Sequence, residues 1–405
     1  MGRVGGGARR RPGRRRRRPQ RTVLSTATEM AMDLGAPAPE AGRARVLILG
    51  TGAMAKLFGA RLARTGRAAV LLAGAWRAAV DAIAARGITV EEADGGGRWT
   101  VVDGVRAVGL DAVSGEGPHP PAPSSSAAGE GVRRRGGGDG ALMAGFDLVV
   151  VLVKAHRTAA VAPVAARAVS AGGLVVTLQN GLGQREALAA GGVPADRIVV
   201  GVTAAGASAG DAPDRVRAGG PGWTVLAAPP ARRPAVERAA ELLRQAGFDV
   251  AVEADVSVPL WRKLAVNCAI NPLTALLGVP NGALLARPDA RATMAAAARE
   301  VGHVAAALGI DLGVDLEALA VEVARRTATN RSSMLQDVAR GAPTEIDAIN
   351  GAVVRHGRRL GVPTPVNADL WRRVRALERA GRGAAGARVA GGARRGAARK
   401  SLTAG

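Results

Sequence analysis

The feature that most constrains the fold is a repeated alternation of short apolar runs with helix-like segments, which begins at Arg45. Each run consists largely of valine, leucine, isoleucine and alanine, so that both of its faces are apolar rather than one. Strands that are buried on both faces and separated by helices are typical of a parallel sheet with helices on both sides. The sequence therefore predicts an α/β architecture whose strands include 68–74, 147–153 and 173–179.

The pattern changes near residue 255, where long alanine- and leucine-rich segments without a strand signal begin. These segments predict an all-helical domain over 255–378, after a sheet domain over 45–254. A Pro-, Gly- and Ser-rich insertion at 114–140 has no periodicity, and we interpret it as a disordered surface loop.

The net charge of +23 raises the question of nucleic-acid binding, so its location matters. Residues 1–44 carry 11 arginines against three acidic residues, and 379–405 carry seven basic residues and no acidic one, so these two segments hold 15 of the 23 charges. Both contain few large apolar residues and are predicted to be disordered tails. We expect no specific nucleic-acid partner, although binding of the tails to nucleic acid or anionic surfaces is an alternative function.

The cysteine content and hydropathy bear on the compartment. A single cysteine, Cys268, excludes an intramolecular disulfide and fits a reducing environment. No uninterrupted apolar stretch reaches the ~18 residues that a membrane-spanning helix needs. A cytoplasmic protein without a membrane partner is therefore expected.

A glycine-rich turn lies between the first apolar run and the helix that follows it. It matches the pattern G-x-G-x-x-[GA] with Gly50, Thr51, Gly52, Ala53, Met54 and Ala55. Glycines there let the backbone approach a pyrophosphate, which the helix N-terminus stabilises, whereas the alternative is an ordinary tight turn. The second strand ends in A-G-A-W-R rather than in the acidic residue typical of NAD sites, which favours NADP with Arg77 as a partner of the 2′-phosphate.

Polar residues at strand ends and on one helix are candidates for a site. Lys154 and Asn180 follow two of the predicted strands, at the edge where such folds bind ligands, although a turn or a solvent-facing lysine would look the same. Lys263, Asn267 and Asn271 recur four residues apart in an apolar helix, so they share one face. A buried face would avoid an amine and two amides, and we therefore expect this face to be wet or to form a site.

The segment 332–351 carries further polar candidates with simpler interpretations. Thr344 and Asp347 fit a capping box, which would place Glu345 in the first turn of the next helix. Ser332 and Ser333 are equally suited to capping a helix.

Several motifs occur in one order along the chain. They are G-T-G-A-M-A at 50–55, V-K-A at 153–155, Q-N-G-L-G at 179–183, W-R-K-L-x-x-N-x-x-x-N-P-L-T-A-L at 261–276, P-N-G at 280–282, and S-S-M-L-Q-D with T-E-I-D-x-I-N-G within 332–351. In these motifs the chain resembles the ketopantoate reductase family over about residues 45–378. The resemblance implies a Rossmann domain, a helical domain similar to that of 6-phosphogluconate dehydrogenase, and NADPH-dependent reduction of 2-dehydropantoate to (R)-pantoate.

The resemblance also implies roles for individual residues. Lys263 corresponds to the catalytic lysine that supplies a proton to the 2-oxo oxygen, and Glu345 to the glutamate that orients substrate and lysine. The residues that would face substrate are Asn180, Asn267, Asn271, Asn281 and Ser333, and Lys154 and Asn180 would lie on the cofactor side. The pattern departs from the family at Ala55, in the A-G-A-W-R segment, and in the insertion and tails. A homodimer is compatible with the family, and reduction of another branched 2-oxo acid is the alternative activity.

Overall fold

The structure is a computed structural model, and it describes residue 2 and residues 42–93, 95–114, 145–220 and 222–381. Most of the predicted tails and of the insertion at 114–140 therefore lies outside the described residues. The twelve strands are β1 (Ala44–Leu49), β2 (Ala68–Gly74), β3 (Ile88–Glu91), β4 (Arg98–Val101), β5 (Val105–Gly109), β6 (Phe146–Val151), β7 (Val169–Thr177), β8 (Ile198–Thr203), β9 (Ala207–Ala209), β10 (Arg215–Ala218), β11 (Trp223–Ala227) and β12 (Asp249–Glu253).

Helices fall between these strands and then follow them without further strands in the described chain. Those within the sheet region are α1 (Ala53–Arg64), α2 (Arg77–Arg86), α3 (Leu110–Ser114), α4 (Thr158–Ala168), α5 (Gln184–Ala190) and α6 (Arg233–Gln245). The helical region contains α7 (Ser257–Leu277), α8 (Pro288–Ala307), α9 (Leu316–Arg326), α10 (Ser333–Ala339), α11 (Asn350–Leu360) and α12 (365–381).

The main sheet has eight strands in the order β12-β11-β8-β7-β6-β1-β2-β5. Its neighbours pair in parallel except β8 and β11, which are antiparallel. β2 is buried at every residue and the neighbouring strands are buried over most of their length, as their apolar sequences require, and two core clusters cover the two faces of the sheet. The predicted α/β fold with a parallel sheet and a helical second region is confirmed. The domain boundary at residue 254 stays a prediction.

A second, smaller sheet is an addition to the predicted architecture. It has the order β4-β3-β10-β9, and its strands are only three or four residues long, too short for a clear periodic signal. Lys56, one turn into α1, ties this sheet to the main one, because its buried ammonium donates to the carbonyls of Pro213 and Arg215 at 2.9 and 2.8 Å.

The helical region is built around α7, a 21-residue helix that packs against α8, α9 and α10. A separate core cluster, which includes Trp261, Leu264 and Ile270, fills the space between these helices. The face of α7 that carries Lys263 is turned towards the ends of β7 and β8, where Lys263 contacts Asn180 and Thr203. The fold thus brings one face of the longest helix to the carboxyl edge of the parallel sheet.

Candidate active site

The glycine-rich turn after β1 has the geometry of a close-approach site. Gly50 has φ +132°, and a Cβ there would lie 3.2 Å from the backbone of Leu152 at the end of β6. Thr51 packs against Gly74, where a Cβ would lie 2.5 Å from the threonine Oγ1. Gly50 and Gly74 are therefore required by packing and conformation.

Gly52 differs from these two glycines, because it faces open space. It is the N-cap of α1, its φ of −73° suits any residue, and a Cβ would meet nothing within 4 Å. The protein itself does not require glycine here, so the open space is consistent with a ligand that approaches the helix N-terminus closely. Ala53 and Met54 also line this space, whereas Ala55 is buried in the helix.

The turn opens into a cleft of about 560 Å³ between the sheet and the helical region. Its lining includes, from the predicted set, Gly50, Thr51, Gly52, Ala53, Met54, Lys154, Asn180, Ser333 and Glu345. Among the described lining residues Glu345 is the one carboxylate, whereas Lys56, Lys154, Arg157 and Arg340 are cationic. A cleft of this size and sign suits an elongated polyanion such as a dinucleotide.

Glu345 joins the two sides of the cleft. One carboxylate oxygen accepts from the backbone N–H of Ala155 at 3.0 Å, and the other accepts from Nδ2 of Asn180 at 3.1 Å. The ammonium of Lys154 lies 3.7 Å from the second oxygen. Since the glutamate is 6 % exposed, these contacts compensate the burial of its charge and fix its position.

Lys263 lies at the other end of this network. Its ammonium donates to Oδ1 of Asn180 at 2.8 Å and to the carbonyl oxygen of Thr203 at 2.6 Å. Burial lowers the pKa of Lys263 from 10.5 to about 8, against an opposing effect of the Glu345 charge. Such an amine exchanges protons readily near neutral pH, which is what a general acid needs.

Lys154 is held by a second carboxylate, which was not among the predicted site residues. Its ammonium lies 2.7 Å from Oδ2 of Asp337, which is 2 % exposed. The other oxygen of Asp337 accepts from Arg340 at 2.7 Å. The structure thus places Lys154 at the junction of α10 and the sheet edge, in contact with the same glutamate that binds Asn180.

The remaining predicted substrate residues differ in whether their side chains already form hydrogen bonds within the protein. Within the described part of the chain, the side-chain amides of Asn267 and Asn271 have no hydrogen-bond partner, although Asn271 is only 8 % exposed. Asn281 instead donates to Oγ1 of Thr327 at 2.9 Å, and its Oδ1 is buried without a partner. Ser333 lines the cleft at the start of α10. Lys263, Asn267 and Asn271 are not among the described residues that line the cleft, and Asn281 is partly engaged in packing.

Two local expectations meet different outcomes. The capping box of Thr344 and Asp347 is wrong, because α11 begins only at Asn350 and Glu345 lies in the turn before it. The carboxylate of Asp347 instead accepts from Trp371 of α12, which draws this residue away from a helix start. Ser332, by contrast, caps α10 by accepting from a backbone N–H at 3.0 Å.

Arg77, predicted to bind a 2′-phosphate, opens α2 outside the lining of the cleft. Its exposed guanidinium lies 3.8 Å from the carboxylate of Asp81 across one helical turn. Such an exposed pair is weak, so the side chain is free to move, and its role stays a prediction.

Sequence reasoning missed residues that position the predicted ones. The side chain of Gln184 donates to the carbonyl of Asn180 at 2.7 Å, and that of Gln179 donates to Val153 and Thr158, both at 2.8 Å. Gln179 and Gln184 flank Asn180 within the Q-N-G-L-G-Q segment, and that proximity was the available signal. For Asp337 the available signal was its place at the end of the S-S-M-L-Q-D motif, whereas Lys56 had no such signal, because its partners are far away in sequence.

The described residues contain neither a candidate membrane span nor a candidate metal site. No helix there is both long and apolar enough to span a membrane. Nor does any group of three or more His, Cys, Asp or Glu side chains in that part of the chain have the arrangement of a metal site.

Comparison with known proteins places these features in context. Residues 46–231 match the family model described as "Ketopantoate reductase PanE/ApbA", and residues 255–378 match "Ketopantoate reductase PanE/ApbA C terminal". The 2-dehydropantoate 2-reductase of Halobacterium salinarum is 39% identical over 244 residues, which cover 60% of this chain and 80% of the relative. That of Archaeoglobus fulgidus is 38% identical over 233 residues, which cover 57% and 76%.

Solved structures give the same result for the fold. A PanE/ApbA family ketopantoate reductase from Ralstonia eutropha superposes with a TM-score of 0.69 at 29% identity, over 84% of this chain and 99% of that one. A D-mandelate dehydrogenase in complex with NADH and anilino(oxo)acetate superposes with a TM-score of 0.71 at 25% identity, over the same shares of the two chains.

Proposed function

Because the chain belongs to the ketopantoate reductase family, we propose that it catalyses the NADPH-dependent reduction of 2-dehydropantoate to (R)-pantoate, in pantothenate and coenzyme A biosynthesis. The observation that carries the proposal is the continuous chain of polar contacts from Lys263 through Asn180 and Glu345 to Lys154. It joins the catalytic helix to the cleft beside the glycine-rich turn, where a cofactor and a small 2-oxo acid would meet.

The chemistry divides between cofactor and protein. Bound NADPH would supply the hydride that adds to the 2-oxo carbon. The protein supplies the proton: the ammonium of Lys263 donates to the substrate oxygen as negative charge develops there, and the neutral amine then regains a proton from solvent. Asn180 and the carbonyl of Thr203 hold the amine in place before the reaction.

Glu345 and the free amides orient the reactants. The glutamate fixes Asn180 by accepting from its Nδ2, which turns Oδ1 of Asn180 towards the lysine. The unpaired amides of Asn267 and Asn271, one and two turns along the same helix face, are suited to the hydroxyl and carboxylate groups of the substrate. Ser333 on the cleft wall adds a hydroxyl from the opposite side.

The preference for NADPH rests on charge in the cleft. Near the turn and the end of β2, the described lining residues include Lys56 and Trp76 but no carboxylate that would accept from a ribose 2′-hydroxyl. An additional phosphate therefore meets positive rather than negative potential. Comparison of kcat/KM for NADPH and NADH tests this point, and equal values would contradict it.

A second activity, the reduction of a different branched 2-oxo acid, is favoured by the similarity to a D-mandelate dehydrogenase. The same lysine, amides and serine would serve any small 2-oxo acid. A panel that includes ketopantoate, other branched 2-oxo acids and phenylglyoxylate separates the two functions by kcat/KM. Ketopantoate is expected to rank first.

The test of the mechanism is Lys263→Met, which keeps the length of the side chain and removes the proton. Turnover of ketopantoate with NADPH should fall by at least ~100-fold, the usual contribution of a general acid. Cofactor binding, followed by the fluorescence of bound NADPH, should be retained and serves as the control for folding. Near-normal turnover in this variant would refute the role of Lys263.

A further inference from the structure

A second cavity, of about 650 Å³, lies next to the loop before α5, which carries Asn180, and is distinct from the cofactor cleft. It is bounded by α5 and the sheet on one side and by the beginning of α7 and by α11 on the other. Gln179 lines both cavities, and Gln184 lines the second one while it donates to the carbonyl of Asn180 at 2.7 Å. The residues that carry the active site therefore form part of its wall.

Cationic side chains are concentrated in this second cavity. Arg355 and Arg359 come from α11, where His356 lies beside them, and Arg185 comes from α5, against the carboxylates of Glu186 and Asp255. In the described part of the chain none of the three arginines forms an ion pair with a carboxylate. Two of them are oriented by backbone carbonyls, since Arg185 donates to residues 195 and 198 and Arg355 donates to residue 347.

The pKa of His356 reflects the positive charge of the neighbouring arginines. Burial and the positive charges of Arg359 and Arg355 lower the pKa of His356, against an opposing effect of Glu186. A guanidinium nitrogen of Arg359 lies 2.8 Å from Nδ1 of His356, and the ring of Trp261 meets the imidazole edge-on, with the centroids 5.7 Å apart. A bound dianion would oppose the repulsion between these cations.

Part of the cavity wall is apolar. Ile198, Val200, Leu260 and Trp261 contribute to the wall beside the cationic groups. A volume of this size is within the range of pockets for small organic ligands. The combination suits an amphipathic anion rather than a simple ion.

We propose that this second cavity binds a phosphomonoester with an apolar or aromatic body, whose phosphate contacts Arg355 and Arg359. Guanidinium groups bind phosphate oxygens with paired, charge-assisted hydrogen bonds, and two of them one helical turn apart match a dianion better than a carboxylate. The apolar body would lie against Trp261. Such a ligand class is separate from the dinucleotide and 2-oxo acid of the proposed reaction.

Phenyl phosphate is the probe, added at constant ionic strength to the full-length protein with saturating NADPH in the cofactor cleft. The readout is the ring carbon signal of His356 in protein with labelled histidine, assigned with a His356→Gln variant among the four histidines. This signal reports on the cavity itself and not on any phosphate that is bound by the basic terminal segments. We expect saturable binding and a rise in the pKa of His356.

Matched variants locate the phosphate. Arg355→Gln combined with Arg359→Gln should weaken binding by at least ~10-fold, as expected for the loss of two charge-assisted contacts. Arg358→Gln, on the same helix but outside the cavity lining, should bind like the wild type. An equal loss in the Arg358 variant, a lack of binding in the presence of saturating NADPH, a non-saturable response, or equal binding of benzoate would each overturn the proposal.

Discussion

The pH dependence of the proposed reaction gives the sharpest test of the site, because the proposed proton donor has an altered pKa. Lys263 is buried between Asn180 and Thr203, and its pKa is lowered from 10.5 to about 8. The difference corresponds to roughly 3 kcal/mol that disfavour the ammonium relative to a lysine in water. The proposed reduction needs the protonated amine, so we expect its rate to fall as pH rises through this value.

The size of the effect follows from the protonated fraction. With a pKa of about 8, ~90% of the amine is protonated at pH 7 and only ~3% at pH 9.5, so kcat/KM for reduction should fall ~30-fold over that interval. A lysine with its ordinary pKa would give no measurable fall. The reverse oxidation of pantoate needs the neutral amine as a base, and its rate should therefore rise over the same range.

The assay follows nicotinamide absorbance at fixed ionic strength, and variants assign the titration to one residue. Lys56 needs a control, since burial also lowers its pKa to about 8, against an opposing effect of Asp214, and it lies beside the cofactor cleft. Lys56→Met should retain the fall in rate near pH 8, whereas Lys263→Arg, with a guanidinium that stays protonated, should abolish it. A flat profile to pH 10 in the wild type, or loss of the titration in the Lys56 variant alone, would refute the assignment.

Two further predictions concern the supports of the site. Gly181→Ala should destabilise the protein more than Gly183→Ala. Both residues have positive φ, a conformation that costs alanine ~1–3 kcal/mol. At Gly181 a Cβ would also lie 2.2 Å from the carbonyl oxygen of Ala348, whereas at Gly183 it would meet nothing within 4 Å. Equal losses in chemical denaturation would contradict this. Lys154→Met should lower the free energy of unfolding by ~1–3 kcal/mol, because the buried carboxylate of Asp337 loses one of its two charged partners. The same substitution should raise the Kd for NADPH. Thermal unfolding measures the first effect and a binding titration the second, and an unchanged Kd would contradict a place for Lys154 in the cofactor site.

The architecture was predictable because its signals are local. Continuous apolar runs separated by helices specify strands buried on both faces, and three of the predicted strands, 68–74, 147–153 and 173–179, correspond to β2, β6 and β7 with shifts of no more than a few residues. The small sheet of β3, β4, β9 and β10 could not be predicted, since strands of three or four residues depend on pairing between distant segments.

The site was predictable only where its residues are related by local helical geometry. The spacing of Lys263, Asn267 and Asn271 correctly indicated that they share a helix, because that is a property of the helical period. The capping box at Thr344 failed because it treats the chain locally, whereas tertiary contacts of Asp347 with α12 hold this segment as a turn. That turn is what directs Glu345 towards residues 155 and 180.

The two cavities meet at α7 and at the loop before α5, and the geometry indicates how they could be coupled. Trp261 and Lys263 are two residues apart, about 200° around a helix, so they point to opposite sides of α7. Movement of a packed 21-residue helix would disturb the core that includes Trp261, which makes it a costly route. The loop before α5 offers a shorter route between the cavities, because Gln184 donates to the carbonyl of Asn180 and the side chain of Asn180 accepts from the ammonium of Lys263. Two hydrogen bonds through Asn180 therefore connect Gln184, in the wall of the second cavity, with the ammonium of Lys263.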